Sequence, residues 1–248
     1  MTLIDALPLI ILFAAIATMP VFALTARSRP HDADVARRPT TVLLGHWIRD
    51  WLMWLIAPLE RALVRAGVSP DAFNYLGVAF GAAAGVAFAM GALSLAGLAI
   101  LLGGLADVFD GRIARARGLT SSYGAFMDST LDRFAESLSF VGVAWYLSAS
   151  PWGAALTVLA ISGSLLVSYA RARGEAVGVT GTGGVMQRAE RLVILALGGL
   201  SDAALTARWN WPPGSVLTGA VALIAAGSTG TAIYRTASIA RTLARRDS

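Results

Sequence analysis

Four aspartates flank a short basic segment in the middle of the chain, and their spacing is that of two helical faces. Asp107 and Asp110 are three residues apart, and Asp128 and Asp132 are four residues apart. Side chains at these separations project from the same side of a helix. An apolar run precedes the first pair and another follows the second pair. Ionisable groups at the edge of such runs are costly, and they mark functional sites.

A helical hairpin folded around residues 112–123 would bring the two acidic pairs together. Four carboxylates in one small space repel one another, and a hard divalent cation with oxygen ligands relieves that repulsion. Two such ions suit this much charge, and paired ions clamp both sides of a phosphoryl displacement. The spacing therefore predicts a site for two divalent cations, Mg²⁺ or Mn²⁺, held by Asp107, Asp110, Asp128 and Asp132.

Two glycines and an arginine accompany the acids. Gly111 directly follows Asp110, and Gly124 lies one turn before Asp128. The absence of a side chain at these positions lets a phosphate or a metal approach the backbone closely. Arg115 lies one turn beyond Gly111, where its guanidinium can hold a phosphate oxygen. A phosphorylated substrate is the expected ligand.

The composition is that of an integral membrane protein, since 56% of the 248 residues are hydrophobic and only 14% are charged. The absence of Cys excludes disulfides and thiol chemistry, and two His are too few for a zinc site. All 20 basic residues are Arg, which excludes lysine Schiff-base chemistry. Their distribution indicates that the net charge of +5 serves anionic lipids and phosphorylated substrates, with no nucleic acid as a partner.

Apolar runs predict an all-α integral membrane fold in which a six-helix core follows one extra N-terminal transmembrane helix. That first span, residues 4–24, has the length a bilayer requires and is followed by Arg rather than preceded by it, unlike a secretory signal peptide. The core spans are predicted at 71–91, 93–116, 122–147, 152–176, 188–207 and 213–236. Clustered small residues in two of them, at 81–85 and 97–104, suit tight helix packing.

Residues 46–66 predict an amphipathic helix, because Trp47, Trp51 and Trp54 recur at helical spacing among charged residues. Tryptophan is typical of headgroup depth, which favours an interfacial helix over the alternative of a soluble core helix. The predicted organisation is an N-terminal span with a cytoplasmic linker (1–45), the interfacial helix (46–66), the six-helix domain (67–240) and a basic cytoplasmic tail (241–248).

Arginines alternate between the loops. Three lie in 112–117, four in 171–191 and four from 235 onward, whereas the opposite loops hold only Arg208. By the positive-inside rule, the acidic site faces the cytoplasmic side of the cell membrane, with the N-terminus outside and the C-terminus inside.

A second candidate site lies in residues 167–191. Arg171 and Arg173 end one predicted span, Arg188 and Arg191 begin the next, and a loop rich in Gly and Thr joins them. Four guanidiniums around one loop are consistent with a phosphate-binding pocket. Anchoring of the loop to anionic lipid explains the composition equally well.

The acidic stretch resembles the signature of the CDP-alcohol phosphatidyltransferase family. Its fixed positions are Asp107-x2-Asp110-Gly111-x2-Ala114-Arg115-x8-Gly124-x3-Asp128-x3-Asp132, and the resemblance extends over roughly residues 60–200. It implies a phospholipid biosynthesis enzyme that transfers a phosphatidyl group from CDP-diacylglycerol, or a similar CDP-lipid, to an alcohol and releases CMP. It also implies a homodimer and Asp132 as general base for the acceptor hydroxyl. The implied nucleotide-binding residues are Asp107, Gly111, Ala114, Arg115, Gly124 and Asn74, the last standing where many relatives have Thr.

The arginine-rich stretch resembles one subgroup of that family, the actinobacterial phosphatidylinositol phosphate synthases. The matching residues are Ser168-Tyr169-x-Arg171-Ala172-Arg173-x-Glu175 and Arg188-x-Glu190-Arg191. The resemblance implies that inositol phosphate is bound by Arg171, Arg173, Arg188 and Arg191. Three positions depart from the subgroup, with Arg171 in place of the common Lys, Gln187 in place of Glu and Ala189 in place of Pro. Glycerol 3-phosphate and serine are the alternative acceptors, although serine has no phosphate for the arginines.

A divalent cation transporter is the alternative from a different functional class, since acids within spans also mark ion pathways. Transporters keep such acids near the bilayer midplane and use broken helices. Here the acids flank a loop beside Arg and Gly, which favours a phosphate substrate. A scaffold without catalysis is disfavoured by the complete motif.

Overall fold

The computed structural model describes residues 3–26, 32, 35, 45–180 and 183–246. Nine helices and no strand lie within those ranges, which confirms the all-α prediction. Most of the predicted linker between the first span and residue 46 falls outside them. The helices in chain order are α1 (Leu3–Ile16), α2 (Met19–Ala26), α3 (His46–Arg65), α4 (Pro70–Ala89), α5 (Leu93–Ala116), α6 (Ser122–Tyr146), α7 (Pro151–Ala176), α8 (Arg188–Trp209) and α9 (Ser215–Ala244).

Six helical segments are long and apolar enough to cross a membrane, and the chain is an integral membrane protein. They are Ala6–Thr25, which combines α1 and α2, and the helices α4, α5, α7, α8 and α9. The remaining predicted span, α6, has 25 residues but carries Asp128, Asp132, Arg133 and Glu136, and these charges set it apart. It still belongs to the bundle, because it packs along α4 and contacts α7.

Two helices differ from their predicted extents. The first span is interrupted at residues 17–18, shortly before Pro20, which has no N–H to continue the helical hydrogen bonds. The last helix runs beyond the predicted end at 236 as far as Ala244. The predicted end at 236 is where the sequence becomes polar. A helix can continue beyond an apolar environment once its earlier turns are packed.

Glycines bring α4 and α6 into backbone contact. A Cβ added to Gly81 would lie 2.6 Å from Cα of Ala135, and one added to Gly142 would overlap the backbone of Gly85. On α5, a Cβ at Gly97 would lie 2.5 Å from the carbonyl oxygen of Ala196 on α8. These crossings fix the heights of α6 and α8 relative to α4 and α5, and therefore the heights of the charged side chains they carry.

Two apolar clusters hold α5 on either side of its acids. The main core joins α4 to α9 and includes Ile100 of α5. A smaller cluster joins α3 to α5 through Ile56, Phe109 and Ile113. Asp107 and Asp110 lie between Ile100 and Ile113 along α5, so both flanks of the acidic turn are packed.

The tryptophans of α3 face the N-terminal segment. The indole N–H of Trp51 donates to Oγ1 of Thr18 at 2.9 Å. The ring of Phe22 packs on Trp47 and Trp54 with centroids 5.6 and 5.7 Å apart. These contacts were not predicted from the sequence, and the interfacial placement of α3 stays a prediction.

Candidate active site

The acidic pairs of α5 and α6 converge as their spacing predicts. One carboxylate oxygen from each of Asp107, Asp110 and Asp128 lies within 4.8 Å of the others. Asp110 is buried, with 6% of its surface exposed. Such a cluster brings negative charges together in a largely desolvated place, which is unfavourable without a compensating cation.

The donor set fits a divalent cation. All three side chains offer oxygen, the ligand that Mg²⁺ and Mn²⁺ prefer, and their spacing allows one ion to contact several of them. Oδ1 of Asp128 is buried and has no hydrogen-bond partner among the described residues. A buried carboxylate oxygen of this kind is suited to binding a metal.

Asp132 and Asp107 share an arginine. Nη2 of Arg188 lies 2.7 Å from Oδ1 of Asp132, and Nη1 of the same guanidinium lies 2.9 Å from Oδ1 of Asp107. Arg188 is the first residue of α8. The structure thus joins a residue predicted for the acceptor pocket directly to the acidic cluster.

A cleft opens beside the acids between α4, α5 and α6. Asn74, only 9% exposed, lines it together with Asp107, Asp110 and Asp132. Two further glycines line the same cleft and were missed by the sequence analysis: Gly77 of α4 and Gly103 of α5. Only their positions in the sequence could have indicated these two glycines. Gly77 lies one turn after Asn74, and Gly103 lies one turn before Asp107.

The residues between the two acidic pairs lie at the open end of the site. A Cβ at Gly111 would lie 3.1 Å from Nη1 of Arg115, so this glycine makes room for that guanidinium. The backbone N–H of Gly124 donates to Oγ of Ser121, which caps the start of α6. Ala114, on the last turns of α5, is half-buried.

The four predicted acceptor arginines do not form one cluster. Arg171 is exposed and pairs with Glu175 on its own helix at 2.8 Å, and Arg173 beside it is exposed as well. Arg191 is 1% exposed, and its Nε and Nη2 donate to the two carboxylate oxygens of Glu136 at 2.7 and 3.0 Å. This ion pair crosses from α8 to α6 and is buried at both ends.

A fifth arginine lies near this group. Arg235 of α9 is 5% exposed, and it donates to the carbonyl oxygens of Gly183 and Val167 at 3.0 Å each. Arg171 and Arg191 add like charge beside it. In the sequence, Arg235 was counted only as the first of the four arginines from 235 onward, and its position at the edge of an apolar run was the only available signal.

Comparisons with known proteins identify relatives over most of the chain. The sequence model of the family described as CDP-alcohol phosphatidyltransferase matches residues 68–233. The chain is 36% identical to the phosphatidylinositol phosphate synthase of Streptomyces avermitilis over 212 residues, covering 83% of this chain and 86% of that protein. It is also 36% identical to the phosphatidylinositol phosphate synthase of Mycobacteroides abscessus over 166 residues, covering 65% and 75% of the two chains.

Solved structures share the fold. The crystal structure of Mycobacterium tuberculosis phosphatidylinositol phosphate synthase with CDP-DAG bound aligns with a TM-score of 0.63 and 31% identity, covering 73% of this chain and 92% of that one. The structure of the same protein with manganese and citrate aligns with a TM-score of 0.65 and 32% identity, covering 73% and 87%.

Proposed function

Because the chain belongs to the CDP-alcohol phosphatidyltransferase family, we propose that it transfers the phosphatidyl group of CDP-diacylglycerol to inositol phosphate and releases CMP. The observation that carries this proposal is the approach of three carboxylates within 4.8 Å beside a cleft. The choice of donor and acceptor is supported by the three relatives named above, which are phosphatidylinositol phosphate synthases, one of them solved with CDP-DAG.

The acidic cluster is the proposed holder of the two divalent cations. Asp107, Asp110 and Asp128 converge, and Asp132 lies at the edge of the group. When bound, the cations neutralise the diphosphate and the charge that develops on the leaving CMP. The nucleotide is proposed to contact Asn74 at the rim of the cleft and to be framed by Asp107, Gly111, Ala114, Arg115 and Gly124.

Asp132 is the proposed base for the acceptor hydroxyl. As that proton moves to the carboxylate, the acceptor oxygen forms its bond to the lipid phosphorus and the bond from phosphorus to the CMP oxygen breaks. CMP leaves as the anion, and Asp132 holds the proton. Nη2 of Arg188 lies 2.7 Å from Oδ1 of Asp132, and this positive charge favours the ionised carboxylate that the role of base requires.

The acceptor phosphate is proposed to bind among the arginines at the cytoplasmic ends of α7 and α9. Arg171 and Arg173 are exposed to an incoming anion, and the buried guanidinium of Arg235 adds positive charge near Arg171. Arg191 also lies in the proposed acceptor region, but its Nε and Nη2 already donate to the carboxylate of Glu136. Its role here is therefore to position α8, and with it Arg188.

We further infer that the active site faces the cytoplasm, with the N-terminus outside and the C-terminus inside, since arginines dominate that set of loops. A homodimer and contacts with membrane lipids are part of the same proposal. The residues before 67 and after 240 are proposed to lie outside the catalytic domain, which agrees with a family match over 68–233.

The test is CMP release by the purified protein from CDP-diacylglycerol with Mn²⁺ or Mg²⁺. Inositol phosphate, glycerol 3-phosphate, serine and free inositol are offered separately. Turnover with inositol phosphate alone is the expected result. Turnover only with another acceptor would keep the acidic site and retire the proposed phosphate pocket, and CMP release with none of them would contradict the proposal.

A further inference from the structure

The chain before residue 67 lies outside the family match, yet it contacts the acidic motif. Arg112, between the motif residues Gly111 and Arg115, projects toward this N-terminal part. Its Nε donates to Oε2 of Glu60 on α3 at 2.6 Å. Its Nη1 lies 3.1 Å from Oδ2 of Asp32 and 3.1 Å from the sulfur of Met53.

The setting of this contact makes it stronger than a surface ion pair. The side chains of Arg112 and Glu60 are each 15% exposed, and that of Asp32 is 25% exposed. Two carboxylates share one guanidinium, so its position is defined from two directions. Exposed pairs contribute little to stability because water and salt screen them, and a half-buried pair is screened less.

Asp32 and Glu60, the two partners of Arg112, are connected through α3 to the N-terminal span. The backbone N–H of Asp32 donates to Oδ1 of Asp50 on α3 at 3.0 Å. Helix α3 is in turn joined to the first span by the hydrogen bond from Trp51 to Thr18. The buried ring of Phe22 packs between two further α3 tryptophans. A continuous set of contacts therefore leads from the first span to Arg112.

Arg112 lies in α5 among residues that contact the acidic site, so a small displacement of this part of α5 would move those residues. Its neighbours in sequence are Gly111, which accommodates the guanidinium of Arg115, and Ile113, which is fully buried against α3. Phe109, in the same apolar cluster, packs on Phe73 with centroids 5.5 Å apart. Phe73 and the adjacent Asn74 line the cleft. The same turns of α5 thus carry the contacts to α3 and the residues proposed to meet the donor.

We propose that Asp32 and Glu60 are positioning residues for the donor site, acting through Arg112. They hold the last turns of α5 so that Asp110, Gly111 and Arg115 are aligned for the cation and the CDP moiety. The N-terminal segment, which the family match does not include, thereby sets the affinity of the site for metal and nucleotide. This inference rests on the proposed function only in naming CDP as the ligand.

The test uses the full-length protein in detergent with Asp32→Asn, Glu60→Gln, Arg112→Gln and the double variant Glu60→Gln/Arg112→Gln. Binding of CDP in the presence of Mn²⁺ is measured by isothermal titration calorimetry, and the KM values for CDP-diacylglycerol and inositol phosphate are measured separately. Each single variant is expected to weaken CDP binding about three- to ten-fold, and the double variant is expected to be no weaker than Arg112→Gln, because coupled residues are not additive. The KM for inositol phosphate stays unchanged.

Arg208→Gln is the matched control for Arg112→Gln, since it removes an exposed arginine at the other end of the bundle and leaves CDP binding unchanged. Additive losses in the double variant, or an equal change in both KM values with normal CDP affinity, would overturn the positioning role. If Glu60→Gln fails to fold, Asp32→Asn decides the question alone. CDP binding without CMP release in the wild-type protein would contradict the proposed reaction and leave this inference intact.

Discussion

The acidic region of α5 and α6 and the arginine region of α7 and α8 differ in how their residues come together. Three of the four acids meet within 4.8 Å, as helical spacing on a hairpin predicts. The arginines separate, with Arg188 drawn to the acids, Arg191 paired with Glu136, and Arg171 left at the surface. The short aspartate side chains at one end of two helices can reach few positions, whereas a long arginine side chain can reach several hydrogen-bond acceptors.

The four arginines around the loop between α7 and α8 therefore do not form one binding site. Arg188 and Arg191 are three residues apart on α8, but Arg188 contacts two partly exposed aspartates and Arg191 contacts a buried glutamate. Their expected contributions are therefore different in kind, with chemistry assigned to the first and stability to the second. The variants below separate these roles.

The largest effect is expected at the acidic cluster. Asp128→Asn removes a ligand whose Oδ1 has no protein partner among the described residues. CMP release should fall at least about 10³-fold, because a bound metal stabilises the transition state by several kcal/mol. The measurement is kcat at saturating Mn²⁺, together with Mn²⁺ affinity. At saturating inositol phosphate, Glu175→Gln should keep the wild-type kcat, and an Asp128→Asn protein that did so would remove Asp128 from the metal site.

The next effect is on stability, at the buried ion pair between α6 and α8. Glu136→Gln removes the carboxylate that the guanidinium of Arg191 contacts, and Arg191 is only 1% exposed. Removal of one partner from a buried pair costs about 3–5 kcal/mol of unfolding free energy. The double variant Glu136→Leu/Arg191→Met should recover much of that loss, because no charge is left buried. Unfolding in detergent measures both, and a stable single variant would show that Arg191 finds its charge partner elsewhere.

A smaller effect is expected at the arginine that joins the two regions. Arg188→Gln removes the contacts to Asp107 and Asp132, and kcat should fall about 10²-fold, as for loss of a charge-stabilising donor in an active site. Arg188→Lys keeps the charge but not the two-pronged geometry, so it should recover activity only in part. Steady-state kinetics with each substrate varied provide the measurement. A change confined to the KM for inositol phosphate would return Arg188 to the acceptor pocket alone.

The smallest effect is expected at the surface of the arginine region. Arg171→Gln removes an exposed guanidinium, and we expect the KM for inositol phosphate to rise about five-fold with kcat little changed, since exposed ion pairs are weak. Arg208→Gln, an exposed arginine at the opposite end of α8, is the control and should leave both constants unchanged. An unchanged KM in Arg171→Gln would favour lipid anchoring as the role of this arginine.

Much of the fold was predictable because each core helix corresponds to an apolar run bounded by Gly, Pro or Arg. The prediction for α5, residues 93–116, agrees with the observed Leu93–Ala116. The close crossings at Gly81 and Gly97 were indicated by clustered small residues. The extension to Ala244 was not predicted, since hydropathy reports where lipid surrounds a helix and not where its hydrogen bonds begin and end.

The convergence of Asp107, Asp110 and Asp128 was determined by the sequence, because helical periodicity and a short connecting loop leave these side chains little freedom. The partners of the arginines were decided only by the tertiary structure. Arg112 meets Asp32, 80 residues away in the chain, and Arg191 meets Glu136, 55 residues away. Such pairs depend on the rotation and height of whole helices, which packing at glycine contacts sets and no local pattern encodes.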